Sequence, residues 1–234
     1  INVGFHPNKS VLTPDGKSLY VANGDADTIS VVDVASHRQT ATIPVNRNGS
    51  KLVGANPTGL AFSQDGKRLY VTNSGHNEVA VINAATRKVI GDIPTGWYPT
   101  QVLAHDGKLS ITSAKGLGAG PNNGPGHPNP TDPRDTAENQ YSGSMIKGLL
   151  STVSEPDAAT LAKLTATVEK NNTANDPARS SAVPNQIGTT SSKIKHVIYI
   201  VRENRTFDQE LGSNGRGNAD PSLNLFGEES APNT

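Results

Sequence analysis

Leu12-Thr13-Pro14-Asp15-Gly16-Lys17-Ser18-Leu19-Tyr20-Val21-Ala22-Asn23 returns fifty positions later as Phe62-Ser63-Gln64-Asp65-Gly66-Lys67-Arg68-Leu69-Tyr70-Val71-Thr72-Asn73. A weaker third copy reads Leu103-Ala104-His105-Asp106-Gly107-Lys108-Leu109-Ser110-Ile111-Thr112-Ser113. In every copy an Asp-Gly pair stands between two strand-like runs, where glycine supplies the positive φ that a tight hairpin needs. Each of the first two copies is followed by another alternating run (28–34 and 78–83) and then a further one (40–45 and 88–94). The apolar period is two throughout, which excludes a helical solenoid. Four short strands per unit, recurring at roughly forty to fifty residues, is the arithmetic of a β-propeller blade.

The expected fold is therefore mainly β: a partial propeller over residues 1–153, with four-stranded antiparallel blades at about 1–45, 57–95 and 96–153. Propellers close with about four to eight blades, so further blades are expected before Ile1. Residues 46–54 form an enlarged polar loop between blades, of the kind that often carries binding. Residues 116–135, rich in Gly, Pro and Asn, interrupt the third blade as a long insertion. His127, Asp132 and Asp135 lie in it, but no metal-ligand spacing relates them, and a solvated loop accounts for them. Residues 145–153 return as a strand of the third blade.

Ser154 is placed to cap a helix with Pro156 and Asp157 in its first turn. Leu161, Leu164 and Val168 recur at helical spacing over 157–170, giving one apolar stripe that suits a structural connector. Residues 171–192 are polar and aperiodic, so 154–192 reads as a connector helix and linker.

Net charge is zero, with 21 basic and 21 acidic residues. That balance offers no electrostatic case for nucleic acid or an acidic membrane surface. Hydrophobic content is 33% and aromatic content 4%, with 23 Gly and 16 Pro, which fits many turns and some linker better than one large core. With no cysteine there are no disulfides, thiolate metal sites or Cys nucleophile. No apolar run has the length of a membrane span. The chain opens at Ile1 inside a strand-like pattern and closes at Thr234 without a finishing element, so a piece of a longer protein is expected.

Beyond the repeats, Ile194-Lys195-His196-Val197-Ile198-Tyr199-Ile200-Val201-Arg202-Glu203-Asn204-Arg205-Thr206-Phe207-Asp208 has a different character. The apolar run 197–201 suits a strand covered on both faces of a parallel sheet. Glu203 and Asn204 follow it directly, where ligands gather in open α/β sheets, and both are oxygen donors for a hard or borderline divalent cation. On pattern alone an ordinary turn leaving a buried strand is the more economical reading, with Glu203 solvated or paired to Arg202 or Arg205.

Two resemblances bear on these stretches. Tyr70-Val71-Thr72-Asn73 and Tyr20-Val21-Ala22-Asn23 resemble the YVTN propeller repeat of bacterial surface and periplasmic proteins, over roughly residues 1 to 115. Residues 194–212 (IKHVIYIVRENRTFDQELG) resemble the opening motif of the phosphoesterase family of the alkaline-phosphatase superfamily, which holds phospholipases C and acid phosphatases. Asn224-Leu225-Phe226-Gly227 also resembles the branch of that family fused behind YVTN propellers.

The second resemblance implies that 193–234 begins a truncated α/β phosphoesterase domain whose Glu203 and Asn204 ligate a divalent metal ion. A metal there would lower the pKa of a hydroxyl nucleophile for in-line displacement on a phosphate-ester substrate. The family's Ser or Thr nucleophile and distal aspartates lie further along, so the segment is expected to be inactive by itself. Asp208 and Arg205 are expected to hold the loop, and His196 to be structural.

Three functions follow from these readings: a metal-dependent phosphoric ester hydrolase with a propeller attached, or a non-enzymatic surface-layer-type propeller that binds a protein, glycan or cell-envelope ligand, its phosphoesterase half degenerate. The third, a redox propeller, lacks visible cofactor-binding residues. The resemblances imply a periplasmic, secreted or cell-surface location.

Overall fold

The computed structural model describes residues 1–46, 54–118, 147–173, 198, 206–214 and 219–224. Its turns show why the repeat folds as hairpins. Gly16 and Gly66 take φ of 69° and 70°, and the Asp106-Gly107 pair takes 47° and 66°, as a two-residue hairpin loop requires. The Asp preceding Gly16 and Gly66 braces the turn. The Thr13 hydroxyl donates to the Asp15 carboxylate (2.6 Å), which also accepts the Lys17 N–H (3.1 Å). Ser63, Asp65 and Lys67 repeat this at 2.7 and 3.0 Å.

Around these turns the first sheet runs β1 (Pro7–Leu12), β2 (Ser18–Asn23), β3 (Thr28–Asp33) and β4 (Arg38–Pro44) in sequence order. The second repeats it with β5 (Pro57–Phe62), β6 (Arg68–Asn73), β7 (Glu78–Asn83) and β8 (Lys88–Pro94). The third holds β9 (Pro99–His105), β10 (Lys108–Ser113) and β11 (Leu149–Ser154), with β10 central. All pairings are antiparallel, and the irregularities recur with the repeat: between Pro7 and Ser10 as between Pro57 and Gly59, and at Val31/Val32 as at Val81/Ile82. β1 packs beside β5 and β5 beside β9, so the first strands of successive sheets stack, as in propeller blades.

The apolar side chains explain the stacking. Tyr20, Ile29 and Ile43 of the first blade bury against Leu60, Leu69 and Ile82 of the second, and Tyr20 meets Phe62 edge to face at 5.2 Å. The opposite face of the second blade, with Tyr70, Val79, Val81 and Ile93, packs on Val102, Leu109 and Ile111 of the third. β6 and β7 are thus covered on both faces and are buried almost end to end, rather than alternately.

Helix α1 (Ala158–Thr173) covers the edge strand β8. Leu161 and Val168 are buried, as their spacing predicts. Thr165 donates nothing to the stripe but serves the edge: its hydroxyl accepts the Asp92 N–H at 2.8 Å, filling an otherwise unpaired ladder position. Gly91 permits this approach, since a Cβ there would lie 2.6 Å from Leu161 Cγ. The N-cap differs from the sequence expectation. Asp157, not Ser154, accepts the Thr160 N–H (2.7 Å), because Ser154 is already paired to Lys108 as the last residue of β11. The loop into the helix is tied down by Arg68, donating to the Pro156 carbonyl (2.6 Å), and by the Tyr70 hydroxyl, donating to Glu155 (3.0 Å). Burial pushes the Tyr70 phenol up to about 12.

The third blade shows three strands among the described residues, against the four expected, and its returning strand is Leu149–Ser154. The chain divides into two compact units, Ile1–Gly118 with Lys147–Asp176, and Ala119–Ile146 with Pro177–Thr234, so α1 belongs with the blades. In the second unit, helix α2 (Phe207–Leu211) is capped by Thr206, whose hydroxyl accepts the Gln209 N–H at 3.3 Å. A 3-10 turn, Pro221–Leu223, is tied to it where Asp208 accepts the Asp220 N–H at 2.9 Å.

The expected buried first strand of an α/β domain is not supported. Ile198, the described residue of the 197–201 run, lies in no strand and is 86% exposed. A strand covered on both faces needs ladder partners and layers above and below it. The rest of the run, Val197 and 199–201, lies outside the described residues.

Candidate functional site

Asn73 closes β6 and lies fully buried, its amide donating to Glu78 Oε1 at 3.0 Å. Between them the 3-10 turn Ser74–His76 brings His76 back, and its Nδ1 lies 3.6 Å from the same oxygen. The other carboxylate oxygen accepts the Asn172 amide from the last turn of α1 at 3.4 Å. Both His76 and Glu78 are buried, so the carboxylate depends on these neighbours for what water would otherwise supply. The first blade has no such set. Ala26 and Thr28 hold the equivalent positions, and Asn23 donates to the Thr28 and Ser30 hydroxyls instead (3.1 and 3.0 Å).

The next residue, Asn77, takes φ of 54°, and its Oδ1 accepts the Tyr98 N–H at 2.8 Å, fastening the loop that enters the third blade. Asp27 does the same one blade earlier, accepting from Gly54 (2.7 Å) and Asn56 (3.0 Å). Short polar side chains tolerate the left-handed region and reach neighbouring backbone, which is why Asn and Asp stand here.

That fastening presents Trp97. Its N–H donates to the Gly116 carbonyl (2.8 Å) and its carbonyl accepts from Lys115 (3.1 Å), while the side chain stays 54% exposed. Gly118, at φ of 90°, lies under the indole, and a Cβ there would stand 3.2 Å from Nε1. Tyr98 faces away, its hydroxyl accepting from Asn56 (3.1 Å) and its ring beneath the Lys115 ammonium (4.9 Å).

Trp97, His76, Asn77, Thr95, Asn171 and Asn172 enclose a cavity of about 380 Å³, with Val168 in its wall. Its size falls in the usual range for small-molecule sites, about 300–1,000 Å³. No lysine or arginine lines it. Amides, one indole and an imidazole already engaged by Glu78 suit a neutral ligand rich in hydrogen-bonding groups better than an anion.

None of the residues nominated from sequence lies here. Glu203 and Asn204, with His196, Arg202 and Arg205, are outside the described residues, as are His127, Asp132 and Asp135. Thr206 and Asp208 are described, and both serve local structure as a cap and a loop tie. Among the described residues no group of three or more His, Asp or Glu could hold a metal ion. The missed residues, His76 and Glu78, carried one sequence signal: Gly24-Asp25-Ala26-Asp27-Thr28 becomes Ser74-Gly75-His76-Asn77-Glu78 fifty positions on, a departure between otherwise parallel copies.

Comparison with known proteins agrees with the blade topology. Residues 6–93 match the family model described as "Lactonase, 7-bladed beta-propeller". No curated protein matches the sequence significantly. Among solved structures, a Lactobacillus plantarum protein is 22% identical, covering 49% of this chain and 36% of its own length, at a TM-score of 0.43. Hydrazine synthase of Kuenenia stuttgartiensis is 21% identical over 49% of this chain and 32% of its own, at 0.41. The Cps50 (Swd1) β-propeller domain of Myceliophteria thermophila is 16% identical over 45% of this chain and 35% of its own, also at 0.41. The chain thus spans about a third of the length of the structures it matches.

These findings correct part of the sequence reading. The designations hydrolase, phosphoesterase, alkaline-phosphatase superfamily and metal-binding do not stand: the matched family is a lactonase-type propeller, and the described residues carry no metal-binding group. The expectation was carried by about twenty residues of motif, and a short motif needs its strand–loop context to mean chemistry. Ile198, the one described residue of that context, is exposed and in no strand. What the sheet order and the family match establish together is a run of propeller blades, similar over residues 6–93 to the lactonase type.

Proposed function

We propose that this chain is part of a non-enzymatic β-propeller binding protein, and that the inter-blade cavity beside Trp97 is where it engages its ligand. One observation carries the reading: the second blade departs from its repeat at His76 and Glu78, and His76 lines a polar cavity walled by the end of α1, whose Asn172 the Glu78 carboxylate holds. Where a repeat protein varies its loops on a constant frame, recognition is the usual use. The resemblance to YVTN repeats supports a cell-envelope or secreted setting, with a protein or glycan of that envelope as ligand. No described helix is long and apolar enough to cross a membrane.

Lactone hydrolysis is the competing reading, favoured by the family match over residues 6–93. Co-sedimentation of the 234-residue chain with purified bacterial cell-wall sacculi, run beside hydrolysis assays on sugar lactones, separates the two. Saturable co-sedimentation without turnover is the expected result. Lactone turnover, or no retention on sacculi, would count against it.

A further inference from the structure

Resting on the binding reading, we infer that the Trp97 cavity is a subsite for a neutral saccharide unit, with the indole as stacking face and the surrounding amides as hydroxyl partners. Four of the lining residues keep uncommitted polar groups. Among the described residues, the Trp97 indole N–H, the Asn77 Nδ2 and the whole Asn171 amide make no hydrogen bond, and Asn172 uses only its Nδ2. An amide offers both donors and an acceptor, so these residues match hydroxyls, which are donor and acceptor at once. An aromatic ring with a polar tip, half exposed at the mouth, supplies apolar area for the C–H face of a sugar ring.

Two other ligand chemistries fit less well. An anionic group would find no lysine or arginine in the lining, and two of the lining residues, His76 and Asn172, lie against the Glu78 carboxylate. An extended peptide would need free backbone groups for a ladder. Here the backbone is committed: Thr95 N–H to Asn77, Trp97 N–H to Gly116, and the Trp97 carbonyl to Lys115. What is left is side chain, chiefly amide and indole, with the His76 imidazole beside Glu78.

Trp97 is the chain's single tryptophan, so its emission reports this cavity alone. The chain is titrated with cellohexaose, N-acetylchitohexaose and mannohexaose, with glucose 6-phosphate and an unbiased hexapeptide mixture as other arms. A saturable emission change with at least one neutral oligosaccharide is expected, with a dissociation constant in the micromolar-to-millimolar range. Asn171→Ala, at an exposed position, should weaken binding by about fivefold while leaving the melting temperature unchanged. By calorimetry Trp97→Ala should abolish binding and Trp97→Phe should retain part of it. A response to the phosphate ester or the peptides but to none of the sugars would overturn the inference. So would sugar binding that survives Trp97→Ala. If all soluble sugars fail while sacculi still retain the chain, the saccharide assignment falls and the binding reading stands; if both fail, both fall.

Discussion

Asp65 shows how a turn residue writes itself into the pH dependence of the fold. Its carboxyl is pulled down from 3.8 to about 2, first by the Ser63 hydroxyl and then by the Lys67 N–H, and Asp15 is lowered by the same pair of partners, Thr13 and Lys17. A carboxylate with a depressed folded-state pKa stabilises the fold fully above its unfolded value and loses that contribution as pH falls through the folded one. Urea midpoints of wild type and Asp65→Asn should therefore differ at neutral pH and converge between about pH 4 and pH 2; a constant offset across that range would dismiss the linkage. Glu78 poses the buried version of the same question. Glu78→Ala removes the acceptor of the fully buried Asn73 amide along with a neighbour of His76 and Asn172, and an unsatisfied buried group costs about 1–3 kcal/mol. Replacing both residues by their first-blade counterparts, His76→Ala with Glu78→Thr, should recover most of the loss in a denaturant titration. Equal instability of single and double variants would mean that the set is not an exchangeable unit.

At the scale of elements, the contact of α1 with β8 turns on one missing methyl group. Gly91→Ala would place a Cβ 2.6 Å from Leu161 Cγ and 2.7 Å from the Thr165 hydroxyl, neither of which can retreat without leaving the stripe or the Asp92 amide. Overpacking of this kind costs about 1–3 kcal/mol. Hydrogen exchange should show the Asp92 amide losing protection in Gly91→Ala while amides at the β6–β7 centre keep theirs. Unchanged protection at Asp92 would mean that the helix does not guard the edge. The same contact sets the cavity, because Asn171 and Asn172 close it from the last turn of α1. A helix that reads as a plain connector therefore also walls the candidate site.

Across the first unit, the second blade is shared property. One face belongs to the core with the first blade and the other to the core with the third. Leu69, fully buried on the first of these faces, should lose about 2–5 kcal/mol on replacement by Ala. Because each blade contacts only its neighbours, loss at the middle one should be felt by both. Far-UV circular dichroism and Trp97 emission, which reports the junction with the third blade, should shift together in Leu69→Ala. Separation of the two transitions would show that the blades unfold independently.

Blades and turns could be read from the chain because their causes are local. A hairpin needs Asp-Gly at the turn and period-two apolar runs beside it, and both are written in residues 12–23 and 62–73. The stripe Leu161, Leu164 and Val168 was legible for the same reason. The cap of α1 was not, since Ser154 is a good capping residue until strand pairing claims it for β11. Nor was the cavity. The local turn places His76 beside Glu78, but Asn172 is 94 positions further along, and only the packing of a helix against the far edge of the middle blade brings it there. Short-range chemistry selects strands and turns along the chain, whereas a site assembled from remote segments exists only once burial has folded them together.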